Sequence, residues 1–204
     1  MKSDYLKPST YEHLYRVMQR DNVLAIRVSL ETGLRIDDVL RLEWKNFTKG
    51  TQFTYFAKKT GKKGVKKLSK MLKNDLFSRN VNGSKYVFPG RKRGSHRTRQ
   101  AVWKDVKKAA DLMGVEVNAS PHSARKTYAV ELRKSAGLPA VQRELQHSSM
   151  STTMLYAFAD LARAGKRAPT PSSDELLVLA DLIAKRVVEL LLPEITKAKE
   201  KSLG

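Results

Sequence analysis

The one stretch of this chain that reads as sheet is residues 51–69, TQFTYFAKKTGKKGVKKLS. Residues 51–58 are rich in β-branched and aromatic side chains, which fit a pleated surface, and residues 65–69 offer a second short strand. The segment between them, Thr60-Gly-Lys-Lys-Gly64, is flanked by glycines and reads as the turn of an antiparallel hairpin. On either side the apolar residues recur at helical spacing. Upstream, residues 9–20 and 22–31 form two helices, Thr32-Gly33-Leu34 breaks the pattern, and Asp37 or Asp38 opens a third helix running to about Trp44. Downstream, helices follow at about 70–79, 97–113, 123–136, 139–146 and 151–161, with loops at Asn82-Gly83, Pro89-Gly90 and residues 118–121. The prediction is a mainly α domain with one small antiparallel β-hairpin, an α+β fold.

The charge of the 204 residues is lopsided: 40 Lys and Arg against 20 Asp and Glu give +20. With 41% hydrophobic residues the chain can bury a core, so this excess belongs to a folded surface rather than a basic tail. A domain so basic faces a polyanion, and nucleic acid is the commonest one. The count of cysteines is zero, which excludes disulfide scaffolds, thiolate-bound zinc and thiol catalysis. No apolar run is long enough to span a bilayer, and the first residues lack the apolar core of a secretion signal. The expected setting is intracellular, with no membrane partner.

The charge is also unevenly placed. Residues 171–204 hold five basic and six acidic residues, so the whole positive excess lies before them. Residues 1–165 are expected to be one domain that carries the polyanion-facing surface, and residues 166–173, rich in Pro and Ser, a linker. Residues 174–204 carry Leu176, Leu179, Ile183, Val187 and Leu190 at helical spacing, with Ser172 or Ser173 to cap the start and Pro193 to stop or kink it. Leu177, Ala180, Ala184, Val188 and Leu191 widen that apolar stripe beyond what a solvated helix carries. This amphipathic helix must dock, on its own domain or on another subunit. Within the basic domain, lysines 58, 59, 62, 63, 66, 67, 70 and 73 form one cluster, and Arg91, Lys92, Arg93, Arg97 and Arg99 with His96 form another. A single lysine is ordinarily a solvated one. Together these cations form a surface that displaces counterions from phosphates, with Lys58, Lys62, Lys63, Lys66, Lys67, Arg91, Lys92, Arg93, Arg97 and Arg99 as its candidate contacts.

A set of scattered residues points to chemistry. Thr32-Gly33-Leu34-Arg35 is followed by Asp38; Lys59-Thr60-Gly61 lies at the hairpin; His122-Ser-Ala-Arg125 opens a helix; Leu145-Gln146-His147-Ser148-Ser149 precedes another, with Tyr156 nine residues after the histidine. Each taken singly has an ordinary structural explanation: an arginine paired across one helical turn, a histidine cap, a core tyrosine. Their order and spacing as a set resembles the catalytic domain of the tyrosine recombinases, the phage-integrase family, over roughly residues 9–160. Two positions depart from the family's pattern. Gln146 stands where a glycine is usual, suggesting a changed backbone turn before His147, and Ala124 replaces a common leucine. Family members also usually carry a separate helical domain ahead of this one. Only eight residues precede the first predicted helix, which reads as an excised catalytic fragment or a minimal single-domain enzyme.

The resemblance implies the tyrosine-recombinase catalytic fold and site-specific DNA recombination through a covalent 3′-phosphotyrosyl intermediate. Tyr156 is then the nucleophile, Arg35 and Arg125 the clamp on the phosphate, and His147 a further donor. His122 takes the phenolic proton and Lys59 protonates the leaving oxygen, with Lys58, Lys62 and Lys63 close enough to be mistaken for it. Asp38 orients an arginine or His122. These residue types suit phosphoryl transfer, since guanidiniums stay charged and offer forked donors, and a tyrosine of pKa near 10 needs a proton acceptor. Because the intermediate conserves the bond energy, no cofactor and no metal is called for. No phosphate-binding loop is present, since Gly61-Lys-Lys-Gly64 is too short and lacks the Ser or Thr. By the same resemblance the partners are double-stranded DNA sites and further copies of the chain, four protomers on two sites, in the cytoplasm and nucleoid of a prokaryotic or viral setting. The alternatives are a DNA-binding regulator of the same fold that no longer cuts, a type IB topoisomerase or telomere-resolving enzyme, and a generic RNA-binding domain.

Overall fold

The computed structural model describes residues 3–48, 50–79, 83–146 and 150–159, together with the isolated positions 173, 176, 177, 180, 181, 184 and 188. Seven α-helices and one hairpin fall in the continuous parts. They are α1 (Pro8–Tyr15), α2 (Arg20–Thr32), α3 (Ile36–Leu40), β1 (Gln52–Ala57), β2 (Lys62–Lys67), α4 (Lys70–Phe77), α5 (Arg99–Leu112), α6 (Pro121–Leu145) and α7 (Met150–Ala157). The mainly helical fold with a small antiparallel sheet is the one the sequence predicts. Among the described residues no helix is long and apolar enough to cross a membrane.

Three of the helices start where side chains satisfy their first amides. Ser69 accepts from the Leu72 amide at the head of α4, Thr98 from Ala101 at α5, and Ser120 from His122 at α6, where Pro121 fills the first turn. Helix α2 stops at Gly33, whose φ of 69° is left-handed. Inside α6, Gly137 leaves the helical region at φ 76° and ψ 175°, and Pro139 follows. This is the break expected between residues 136 and 139, spanned here by one kinked element.

The hairpin differs in one respect from its sequence reading. Strand β2 begins at Lys62, and the turn is Lys58-Lys59-Thr60-Gly61 rather than residues 60–64. Gly61 supplies the left-handed φ of 67°, and its amide returns to the Ala57 carbonyl at 2.8 Å. Gly64 is not a turn residue; it pairs with Tyr55, and a Cβ there would lie 2.7 Å from the Tyr55 ring. Phe53, Tyr55 and Ala57 face inward, and Phe53 is fully buried in stacked contact with Phe47 at 5.2 Å. Phe77 of α4 meets Phe47 and Trp44 edge-on at 5.6 and 5.2 Å, so an aromatic cluster fixes the sheet to the helices.

The main core gathers Leu6, Leu14, Ile26, Leu40, Phe53, Leu72, Phe88 and Val102 from nearly every element. A second cluster joins Ala129, Leu138, Val141 and Leu145 of α6 to Ala157 of α7, which seats α7 along the middle and C-terminal half of α6. The predicted linker over residues 166–173 and the helix over 174–204 lie, but for the seven isolated positions, outside the described residues. Those seven are helical and exposed, with Leu177 69% and Val188 52% accessible.

Candidate active site

The turn Thr32-Gly33-Leu34-Arg35 joins α2 to α3 and is wired to itself. The Ser29 hydroxyl donates to the Leu34 carbonyl at 2.7 Å, and the Thr32 hydroxyl donates to Val28 and accepts from the Leu34 amide. Gly33 is needed twice over. Its φ is left-handed, and a Cβ would stand 2.4 Å from the Tyr128 ring and 2.7 Å from Leu145. The turn leaves Arg35 at the head of α3, half-buried.

Arg125, one turn into α6, is 3% exposed. One terminal nitrogen donates to the Gly33 carbonyl and the other to the Leu145 carbonyl, the latter at 2.8 Å. Both acceptors lie at helix C-termini, where carbonyls lack helical partners and the dipole favours a cation. One guanidinium thereby joins the first motif, the fourth and its own. Burial, then the Arg35 charge, pull its pKa down to about 10, so it remains a cation at neutral pH.

His122 lies on the first turn of α6, and its Nε2 is hydrogen-bonded to the Tyr156 hydroxyl of α7, the rings meeting edge-on at 5.3 Å. Burial pushes His122 down to about 4, helped by Arg125, Lys126, Arg35 and Arg99. At neutral pH the imidazole is therefore uncharged and has a lone pair to offer. Burial raises the Tyr156 phenol, opposed by Arg125 and Arg35, and the Arg125 guanidinium carbon lies 5.9 Å from its ring centre.

Asp38 is 4% exposed, and its Oδ1 accepts from the Lys58 main-chain amide at 3.0 Å. Of the two targets expected for it, an arginine or His122, the structure brings Arg35 and Arg125 near enough to lower its pKa against the raising effect of burial. Its direct partner is one that no sequence pattern marks, the first residue of the hairpin turn. Lys59 follows on that exposed turn and lines a cleft of about 560 Å³ with Arg35, Thr60, Lys62, Pro139, Gln142, Arg143, Gln146 and Thr152. His147 lies outside the described residues. Gln142 and Arg143 do not stand out in the sequence, although their place one turn before His147 is an available signal. Gln146, at φ 52° and ψ 42°, adopts the left-handed conformation that glycine serves most easily.

The candidate phosphate contacts divide. Lys58, Lys62, Lys63, Lys67, Arg91, Lys92, Arg93 and Arg99 are exposed. Lys66 and Arg97 are not open to solvent as expected. Lys66 faces inward on β2, 10% exposed, bound to the Glu144 carboxylate at 2.5 Å and its carbonyl at 3.0 Å. Arg97 binds Gln19 at 3.0 Å and faces Asp21 at 3.7 Å. Among the described residues no group of three His, Cys, Asp or Glu side chains is arranged to hold a metal.

Tyrosine recombinase XerD of Shewanella oneidensis is 30% identical to this chain over 142 residues, 65% of this chain and 47% of that protein. The chain thus spans about half the length of the curated relatives it matches. In fold, the catalytic domain of bacteriophage HP1 integrase superposes with a TM-score of 0.56 at 20% identity, covering 82% of this chain and 96% of that one. A lambda integrase dimer bound to a COC' core site gives 0.67 at 17% identity over 85% and 52%. The family model for the phage integrases matches residues 4–163, a span that takes in the Gly33 turn, the hairpin, both ends of α6 and Tyr156, and the chain belongs to that family.

Proposed function

We propose that this chain cuts and rejoins DNA at specific sites, as a recombinase, through a covalent link between Tyr156 and a 3′-phosphate. The observation that carries the reading is the hydrogen bond from Tyr156 to an uncharged His122, beside two arginines. The Tyr156 proton passes to His122 Nε2 as the phenolic oxygen bonds to phosphorus. The bond from phosphorus to the 5′ oxygen breaks, its electron pair stays on that oxygen, and Lys59 Nζ supplies the proton. Arg35 and Arg125, with His147 as a third donor, stabilise the charge that builds on the non-bridging oxygens. Rejoining is the reverse: a 5′-hydroxyl attacks the phosphotyrosine, and His122 returns the proton to the departing phenol. No step draws on a nucleotide or metal.

The substrate is double-stranded DNA. The exposed cations of the hairpin and of residues 91–99 suit its backbone, and the lambda integrase structure holds a DNA site of its own. The working assembly is four protomers on two sites, and a lambda integrase tetramer bound to a Holliday junction supports it by analogy. The segment after residue 165 acts as a strap and docking helix between protomers, in a cytoplasmic, DNA-rich setting. Truncation after Arg167 is expected to leave DNA binding largely intact and to change assembly or cleavage.

The test starts from a nicked duplex library with a randomised window. Adducts that survive denaturant are captured and sequenced, which also reveals the target. Wild type is expected to yield an adduct and Tyr156→Phe none. An equal adduct from both would remove Tyr156 from its role, and no adduct from wild type would remove the activity.

A further inference from the structure

Gln146 is the only residue other than glycine, among those described, with a positive φ. That conformation is harder for a residue with a Cβ than for glycine. What the side chain gains there is a bond across the site: its Nε2 donates to the Tyr55 hydroxyl at 2.8 Å. Tyr55 stands on the inward face of β1, its ring filling the space that Gly64 of β2 leaves open. Two residues before Gln146, Glu144 holds Lys66 of β2 through its carboxylate and main-chain carbonyl. Both strands are therefore tied to the last turn of α6, and Asp38 holds the amide of Lys58 from the other side. Lys59 sits on the exposed four-residue turn above these ties and shares its cleft with Gln146 and Arg35.

We propose that Gln146 is a positioning residue for Lys59: through Tyr55 it sets the height and tilt of the hairpin, and so the place of the ammonium relative to Arg35. The proposal rests on the reading that Lys59 protonates the leaving 5′ oxygen. A glycine at this position would keep the turn and give up the tie, so the glutamine exchanges backbone ease for control of the hairpin. Tyr55 is the relay, and the Lys66–Glu144 pair acts in parallel.

A substrate whose bridging 5′ oxygen is replaced by sulfur separates this role from a general loss of structure. A thiolate departs without taking up a proton, so cleavage of that bond does not need the lysine. On a nicked duplex carrying the selected target sequence, Gln146→Gly and Tyr55→Phe are each expected to slow adduct formation about 10–100-fold, with the double variant no slower than the singles. On the sulfur-bridged duplex both are expected to match wild type, as is Lys59→Ala. In the DNA-free proteins the amides of residues 58–61 are expected to exchange with deuterium faster in both variants than in wild type. A Gln146→Gly rate equal to wild type on the oxygen substrate overturns the proposal, as does a loss of the same size on both substrates or unchanged exchange in the turn. Failure of sulfur to rescue Lys59→Ala removes the lysine's role and the proposal with it. A wild type that forms no adduct on either duplex overturns the recombinase reading itself, which the other outcomes leave standing.

Discussion

Arg125 and Lys59 are two cations assigned to one phosphate, yet the protein treats them oppositely. Arg125 is 3% exposed, its guanidinium plane fixed by carbonyls from two helix ends, with His122 and Tyr156 locked beside it. Lys59 stands on an open turn, held by Asp38 at the neighbouring Lys58 amide and by the strands beneath it. The difference suits the roles proposed for the two groups. A clamp must meet a developing charge without reorganising, and burial supplies that rigidity. A base must be uncharged, and burial with neighbouring cations brings His122 to about 4. The proposed acid, Lys59, stands instead on an exposed turn, open to a strand that enters the cleft.

This contrast can be broken by substitution. Arg125→Lys is expected to suffer the largest effect. A single ammonium cannot span the two buried carbonyls as the fork does, costing about 2–4 kcal/mol of stability by urea denaturation, and cleavage falls about 10³-fold. Arg35→Lys should lose cleavage on a similar scale with a much smaller change in stability, because Arg35 is half-buried. Lys59→Ala should slow cleavage about 10²–10³-fold and leave the thermal midpoint where it was. A cleavage loss in Lys59→Ala matched by a fall in midpoint would end the distinction between the two halves.

A further test uses pH. His122 titrates near 6.5 when unfolded and near 4 when folded, so between those values the unfolded chain binds the extra proton. Stability is therefore expected to fall as pH drops from 6.5 to 4, by up to about 3 kcal/mol, and to flatten below. In His122→Gln that slope should shrink, whereas Lys59→Ala should keep it. A wild-type slope that survives in His122→Gln would assign the proton elsewhere.

The smallest effect sharpens the contrast within the hairpin. Lys63→Ala is expected to lower the salt dependence of DNA binding by about one counterion, and Lys66→Ala by none, since Lys66 is already held by Glu144. Equal slopes for the two variants would mean that Lys66 leaves Glu144 when DNA binds.

Much of this was legible in the sequence because chemistry-bearing residues sit at fixed spacings: Arg35, His122, Arg125 and Tyr156 meet around one point, as their order implies. Helix ends were legible where Ser69, Thr98, Ser120 and Gly33 mark them. What escaped was decided by tertiary partners. The turn moved from residues 60–64 to Lys58–Gly61 because Tyr55 needs the open space over Gly64, and two glycines in a row of lysines look alike until that ring is placed. Asp38 found a main-chain amide 20 residues away, a group every residue but proline carries and that no pattern marks. Lys66 and Arg97 met carboxylates far along the chain, Glu144 and Asp21, so composition counted them as surface charge. The Gln146 bond to Tyr55 belongs with these, since a glutamine in a glycine's place reads in sequence only as a departure.

The most direct measurement is to isolate the denaturant-stable adduct from wild type, digest it with nuclease and protease, and locate the nucleotide by tandem mass spectrometry. A nucleotide linked through its 3′-phosphate to Tyr156 is the predicted result. A nucleotide on any other residue, or one attached through a 5′-phosphate, would contradict the account.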